Sequence, residues 1–103
     1  SDRPQLMYIC LKHAIEGLTK GICTEYAGKN VRINSVCPTY VNTKLVEKTL
    51  KDKKKRNKII NKIPSKRIAE TIDVANVVQF LCSDKSKMIN GTSIMVDGGW
   101  TSY

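Results

Sequence analysis

Within 103 residues only two segments read as β-strands, and both are short. In Asn30-Val-Arg-Ile-Asn-Ser-Val-Cys37, the residues Val31, Ile33, Ser35 and Cys37 alternate with Arg32, Asn34 and Val36. This run meets Pro38, which cannot continue a central ladder. Thr92-Ser-Ile-Met-Val-Asp97 is the second strand, stopped by Gly98-Gly99. The rest is helical or connecting. From Leu6 to Ala27, the residues Leu11, Ile15, Leu18 and Ile22 recur at three- and four-residue spacing, a helical stripe widened by Ala14 and Cys23. Ala27-Gly28 predicts a left-handed terminal turn on the glycine. A loop from Tyr40 leads into one lysine-rich helix reaching Ile63, and Pro64 to Thr71 is a connector. Thr71 or Asp73 is placed to cap a helix through Val74, Val77, Val78, Phe80 and Leu81, with a polar loop over Ser83 to Asn90. Strands separated by helices predict parallel pairing with right-handed crossovers. Two strands alone cannot form a self-sufficient parallel sheet, which needs both faces covered and several neighbours. The pattern reads as part of an α/β domain.

Composition narrows the class further. No apolar run approaches the 18 residues of a membrane-spanning helix, and no charged-then-apolar leader opens the chain, so a cytoplasmic protein is expected. Cys10, Cys23, Cys37 and Cys82 form no Cys-x-x-Cys pair, and His13 is the single histidine, so no metal site is expected. Apolar neighbours predict buried, reduced thiols. The net charge of +9 is uneven: Lys48 to Lys62 holds eight of the 18 basic residues, with Asp52 as its only acid. A nucleic-acid binder built on Leu6 to Ala27 and Lys48 to Lys62 is one reading of that charge. No aromatic side chain is interleaved to stack on bases, which favours a solvated face or a lip that attracts an acidic substrate or carrier.

Chemistry enters with Tyr8-Ile-Cys-Leu-Lys12, where residues four apart share a helix face. A cation beside a phenol favours the phenolate form, and such a phenol can hand a proton to a carbonyl oxygen or take one from an alcohol. The spacing alone is common in a lysine-rich chain; Tyr40-Val-Asn-Thr-Lys44 also matches, in a loop where the spacing fixes no geometry. The order of the motifs carries more. Tyr8-x-x-x-Lys12, His13-Ala-Ile-Glu-Gly-Leu-Thr-Lys20, Val31-Arg-Ile-Asn-Ser-Val-Cys-Pro38, Val41-Asn-Thr43 and Gly91-Thr-Ser-Ile-Met-Val-Asp-Gly-Gly-Trp100 follow one another. Together they resemble the C-terminal half of a short-chain dehydrogenase/reductase, a family that includes 3-oxoacyl-carrier-protein reductases and 3-hydroxybutyrate dehydrogenases.

The resemblance implies a fold and a site. The expected fold is the C-terminal part of a doubly wound, Rossmann-like parallel sheet, contributing two strands and three to four helices. Residues 1–103 would belong to a single dinucleotide-binding oxidoreductase domain, without its nucleotide-binding first half. Tyr8 would be the catalytic acid/base and Lys12 would hold the nicotinamide ribose. Pro38, Thr39, Val41 and Thr43 would line the cofactor, NAD or NADP, and residues 44–63 would form a substrate lid. The substrate would be a small carbonyl or alcohol. A homo-oligomer, dimer or tetramer, is implied, with Leu18 and Ile22 facing one partner helix and Ile94, Val96 and Trp100 near another interface. Pro38-Thr39 stands where the family has Pro-Gly. The glycine-rich phosphate turn and the family's catalytic serine are missing, since Ser1 stands only seven residues before Tyr8. The alternative is a catalytically inactive remnant or an assembly module of a split or truncated gene. Single residues also have plainer readings: Tyr8 as a helix-end aromatic, Thr43 as a helix cap, Asp97 and Gly98-Gly99 as a strand end and turn, Trp100 and Tyr103 as packing, and His13 as a surface residue.

Overall fold

The computed structural model describes residues 5–102; Ser1 and Tyr103 lie outside them. Helix α1 spans Gln5–Tyr26, and a 3₁₀ turn over Ala27–Lys29 follows it. The left-handed residue is Asn30 (φ 62°), not Gly28, and its N–H returns to the Ala27 carbonyl at 3.3 Å. Asparagine is among the few side chains that tolerate this conformation, so the extra 3₁₀ turn simply delays the exit.

Strands β1 (Ser35–Pro38) and β2 (Ser93–Val96) pair in parallel, Ser35 opposite Ser93 and Pro38 opposite Val96. Both are shorter than the alternation predicts. Ahead of β1, side-chain amides replace much of the ladder. Asn90 Oδ1 accepts the Ile33 N–H at 3.0 Å, Asn34 Nδ2 donates to the Ile89 carbonyl at 3.0 Å, and Asn34 Oδ1 accepts the Thr92 N–H at 3.1 Å. Beyond Pro38, an isolated parallel bridge joins Val41 to Ala69, outside both strands.

The lysine-rich segment is two helices, α2 (Lys44–Lys51) and α3 (Lys53–Lys62), where one was expected. Asp52 divides them. Its backbone is extended, and its carboxylate accepts the N–H groups of Lys54 and Lys55 at 3.0 and 3.4 Å. A short carboxylate competes for backbone donors in this way, which makes it a better cap than helix interior.

Helix α4 covers Thr71–Cys82, with Glu70 rather than Thr71 or Asp73 in the capping position. Asp73, in the first turn, accepts the Glu70 N–H at 2.8 Å. At the other end, Ser86 Oγ lies 2.9 Å from the carbonyls of both Phe80 and Leu81. The expected loop there includes a 3₁₀ turn over Asp84–Ser86. Arg32 donates to the carbonyls of Leu81, Ser83 and Ile89 at 2.8, 3.2 and 3.3 Å, placing a cation on the negative end of α4.

The apolar core is small: Ile63, Ile68 and Leu81 are buried. Thr19, Ser35, Ser86 and Asp97 are buried as well, so hydrogen bonds carry much of the interior. The α1 stripe faces outward, Leu11, Ile15 and Leu18 being 58, 53 and 59% exposed. Cys10 and Cys82 are exposed and Cys23 and Cys37 half-buried, which corrects the expectation of four buried thiols; all four are free. Among the described residues no helix is long and apolar enough to cross a membrane.

Candidate active site

The direction of α1 against the strands decides where its side chains stand. A Cβ built on Gly91 would lie 2.7 Å from Cys23 Sγ. Thr19 Oγ1 is 2.8 Å from Ser35 Oγ, and Ser93 Oγ donates to the Glu16 carboxylate. Moving up β2 from Gly91 to Ser93 therefore means moving back along α1 from Cys23 to Glu16, so helix and strands are antiparallel. At about 1.5 Å per helical residue, Lys12 and Tyr8 lie about 6 and 12 Å beyond Glu16. At about 3.3 Å per strand residue, Val96 ends about 10 Å beyond Ser93. Tyr8 and Lys12 thus stand level with the carboxyl ends of the strands, where ligands bind in open α/β sheets.

The pair is formed. Lys12 Nζ lies 5.2 Å from the centroid of the Tyr8 ring, within cation–π range, and both side chains are exposed. Tyr40 and Lys44 do not repeat this geometry: Tyr40 packs against Trp100, centroids 5.5 Å apart, while Lys44 opens α2. His13 is exposed, its Nδ1 2.9 Å from the Ile9 carbonyl.

The second group of expected residues gathers after β1. Pro38 closes the strand, and Thr39, Val41 and Thr43 are half-buried. The Asn42 N–H donates to the Ala69 carbonyl at 2.8 Å, fastening this loop to the residues before α4. Thr43 occupies the capping position of α2 but its side chain makes no capping hydrogen bond. Thr43 is thus the helix cap by position, with its carbonyl accepting the Val46 N–H at 3.2 Å, while its hydroxyl remains available beside the N–H groups that open α2. Among the described residues no hydrogen bond or ring contact joins Tyr8 or Lys12 to the group from Pro38 to Thr43. They are brought to the same end of the sheet and not into contact.

A cleft of about 430 Å³ opens at this end, lined by Thr39, Tyr40, Arg67, Asp73 and Asp97 among others. Its carboxylates are committed to structure. Asp97, 8% exposed, accepts from the Thr101 hydroxyl at 2.8 Å and from the N–H groups of Gly99 and Thr101 at 3.0 and 3.1 Å. The Thr101 hydroxyl first, then those N–H groups, hold its carboxyl below the usual range against the opposing effect of burial. Asp73 is held low by the Glu70 N–H and then by Arg67, whose guanidinium is 3.3 Å away.

Four side chains that tie α1 to the sheet were not foreseen: Glu16, Thr19, Ser35 and Ser93. Ser35 left a trace in the sequence, because a hydroxyl on the inward side of a strand alternation must find a partner. Glu16 left none.

Parallel strands flanked by helices, with a phenol and an ammonium on one helix at the strands' carboxyl ends, define the class of open α/β proteins that bind ligands at that end. The exposed Lys12 ammonium, the Tyr8 phenol and the uncommitted Thr43 hydroxyl are the donors that a ribose diol and a carboxamide require, so these residues fit a nicotinamide nucleotide. Comparison with known proteins identifies the family. The family described as enoyl-(acyl carrier protein) reductase matches residues 2–101. D-beta-hydroxybutyrate dehydrogenase of Rhizobium meliloti is 37% identical over 92% of this chain and 41% of its own length. L-xylulose reductase of Caenorhabditis elegans is 36% identical over 93% of this chain and 38% of its own. The structure of 4-hydroxyisoleucine dehydrogenase complexed with NADH superposes with a TM-score of 0.92 at 30% identity, covering 100% of this chain and 43% of that one. A protein from Agrobacterium tumefaciens described as a 2-deoxy-D-gluconate 3-dehydrogenase, solved with bound NADP, gives 0.87 at 32%, covering 93% and 39%. The chain belongs to the short-chain dehydrogenase/reductase family. It spans about 40% of the length of these relatives.

Proposed function

We propose that the protein carrying this chain is an oxidoreductase that moves hydride between NAD(P)(H) and a carbonyl/alcohol pair, with residues 1–103 as the C-terminal part of its single domain. The observation that carries this reading is the Lys12 ammonium 5.2 Å over the Tyr8 ring, on a helix whose register brings both to the strands' carboxyl ends. When bound, the reduced nicotinamide supplies the hydride that reaches the carbonyl carbon. Tyr8 donates its phenolic proton to the carbonyl oxygen as the alcohol forms, and takes it back in the reverse direction. Lys12 stabilises the phenolate left behind and holds ribose hydroxyls. Pro38 and Thr39 shape the end of β1, the Val41 backbone faces the carboxamide, and Thr43 offers its hydroxyl beside it.

Residues 44–63 act as the lid. Lys44–Lys62 holds nine basic residues against two acidic ones, and Lys53 to Lys58 are all exposed, so this lid draws in an anionic substrate. The protein works in the cytoplasm, a reading that the four free thiols support. It associates with further copies through the outward α1 stripe, since an apolar face this exposed needs covering. Ile94, Val96 and Trp100 lie near a second interface.

The test is Tyr8→Phe in the full-length protein, with NAD(P)H binding followed by fluorescence. Turnover is expected to fall by about 10² or more, the scale of acid–base catalysis, with cofactor affinity nearly unchanged. Turnover within tenfold of the wild type overturns the assignment.

A further inference from the structure

Lys12 has two helix neighbours one turn away, Tyr8 above and Glu16 below. Helical side chains lean toward the N-terminus, so an unrestrained Glu16 leans toward Lys12, and residues four apart are close enough for an ion pair, although acid after base is the weaker order. Yet among the described residues the salt bridges are Lys51–Glu47 and Arg67–Asp73, and Lys12 lies over Tyr8 instead. The Glu16 carboxylate is turned to the sheet, where it accepts from Ser93 Oγ.

Ser93 is the end of a hydroxyl chain. Ser35 Oγ lies 3.3 Å from Ser93 Oγ and 2.8 Å from Thr19 Oγ1, which is also 2.8 Å from the Ile15 carbonyl. Three hydroxyls carry three protons for these contacts and the one to Glu16, four in all, so one contact always lacks a proton. An ionised carboxylate only accepts, so the Ser93 proton goes to Glu16. Thr19 and Ser35 are buried, which denies water the chance to replace them.

We propose that Ser93 is a positioning residue for the Tyr8–Lys12 pair: by holding the Glu16 carboxylate against the sheet, it keeps that carboxylate off Lys12 and leaves the ammonium to Tyr8. The inference rests on the oxidoreductase reading above and adds a residue that touches neither substrate nor cofactor. Few other groups compete. Within one turn of Lys12, α1 carries Tyr8, Cys10, His13 and Glu16 as titratable groups. Packed against α1, β1 contributes Cys37 and the following 3₁₀ turn contributes Lys29, while β2 (Ser93–Val96), whose Ser93 bonds Glu16, holds none. Glu16 is therefore the one carboxylate on these elements within a turn of Lys12.

The experiment uses the full-length protein, in crystals and in steady-state assays. In Ser93→Ala, the Glu16 carboxylate is expected within 4 Å of Lys12 Nζ. The acid–base limb of the kcat–pH profile moves to higher pH, because a neutralised Lys12 no longer favours the phenolate. kcat at neutral pH falls about three- to tenfold, short of the full loss in Tyr8→Phe. Ser93→Thr keeps the hydroxyl and the wild-type profile. Ser93→Ala combined with Glu16→Gln recovers that profile, which a general loosening of α1 does not do. An unmoved profile in Ser93→Ala, or a shift that Glu16→Gln does not reverse, overturns the proposal. Should Ser93→Ala fail to fold, Ser93→Cys, with its weak donor, serves in its place under the same outcomes. If Tyr8→Phe retains turnover, the oxidoreductase reading itself fails, and the crystal structures still decide whether Ser93 holds Glu16 off Lys12.

Discussion

Asp97 ends β2 with a buried carboxylate and three donors on it, and its removal gives the sharpest test of how this end of the sheet is held. The donors are the Thr101 hydroxyl at 2.8 Å and the N–H groups of Gly99 and Thr101 at 3.0 and 3.1 Å. They close a turn in which Gly98 and Gly99 have φ of 62° and 92°. Asp97→Ala removes all three contacts at once. Thr101 is exposed and its groups turn to water, whereas the Gly99 N–H is half-buried and keeps less. Hydrogen bonds to a charged acceptor contribute about 1.5–3 kcal/mol each and do not add fully, so a loss of about 2–3 kcal/mol is expected. In a domain of the relatives' size this lowers Tm by about 4–12 °C. The pH dependence has a definite sign. The folded-state pKa of Asp97 is below its unfolded value, so its stabilisation is fully present above about pH 4 and is lost as pH falls through the folded value. Thermal unfolding of wild type and variant, followed by circular dichroism at pH 7 and at pH 3, should therefore show a gap that narrows in acid. A variant within 1 °C of wild type at pH 7, or a gap unchanged at pH 3, refutes the reasoning.

Three further outcomes are expected. Gly91→Ala puts a Cβ 2.7 Å from Cys23 Sγ at a residue with φ of 75°, and costs about 2–4 kcal/mol in urea unfolding. Adding Cys23→Ala returns about 1 kcal/mol of it, and the absence of such coupling would show that the sulfur contact is not the cause. Thr43→Ala leaves the hydrogen-exchange protection of α2 unchanged, because its side chain makes no cap bond there, and weakens NAD(P)H binding about two- to tenfold. An anionic substrate drawn in by the lysines of α2 and α3 has a kcat/KM that falls steeply between 20 and 200 mM salt, and a flat response removes the steering role.

What the sequence discloses about this chain follows the range over which each signal acts. The extent of α1, the position of both strands and the parallel pairing are set by periodicity and by Pro38 and Gly98-Gly99, which act locally. The stacking of Lys12 on Tyr8 follows from one turn of helix without help from the rest of the fold, whereas preferring this pair to Tyr40 and Lys44 as candidates rested on the order of the motifs along the chain. The break at Asp52 was also local but faint, since a single aspartate in a lysine run is a cap only if its backbone leaves the helix. The shift of the left-handed turn from Gly28 to Asn30 depended on whether a 3₁₀ turn would intervene, which neither residue determines alone. Hardest to read were contacts over long sequence separations: Arg32 with the end of α4, Asn34 and Asn90 across the strand entry, and Glu16 with Ser93. None has a spacing rule, because the partners meet only after the sheet is paired. Burial of the cysteines was misread for the same reason, an apolar neighbour in sequence being no guarantee of a neighbour in space.

The way α1 is attached explains how a mostly exposed helix can hold a site. Apolar contact is non-directional, and a helix resting on a sheet by its leucines can roll or slide by a fraction of a turn at small cost. Here the outward stripe of Leu11, Ile15 and Leu18 leaves the sheet side to other groups. Cys23 against Gly91, Thr19 on Ser35 and Glu16 on Ser93 fix three successive levels along the axis, two of them through directional hydrogen bonds. A rotation that moved Tyr8 away from the strand ends would break both of those bonds, at about 1 kcal/mol for the neutral one and about 1.5–3 kcal/mol for the one to the carboxylate, and would leave Thr19 only the Ile15 carbonyl and Ser35 only Ser93. The same bonds divide the helix into two faces with separate tasks. One presents the phenol and ammonium in a set orientation, and the other is apolar and exposed, so that covering it, as the proposed association requires, need not disturb the pair.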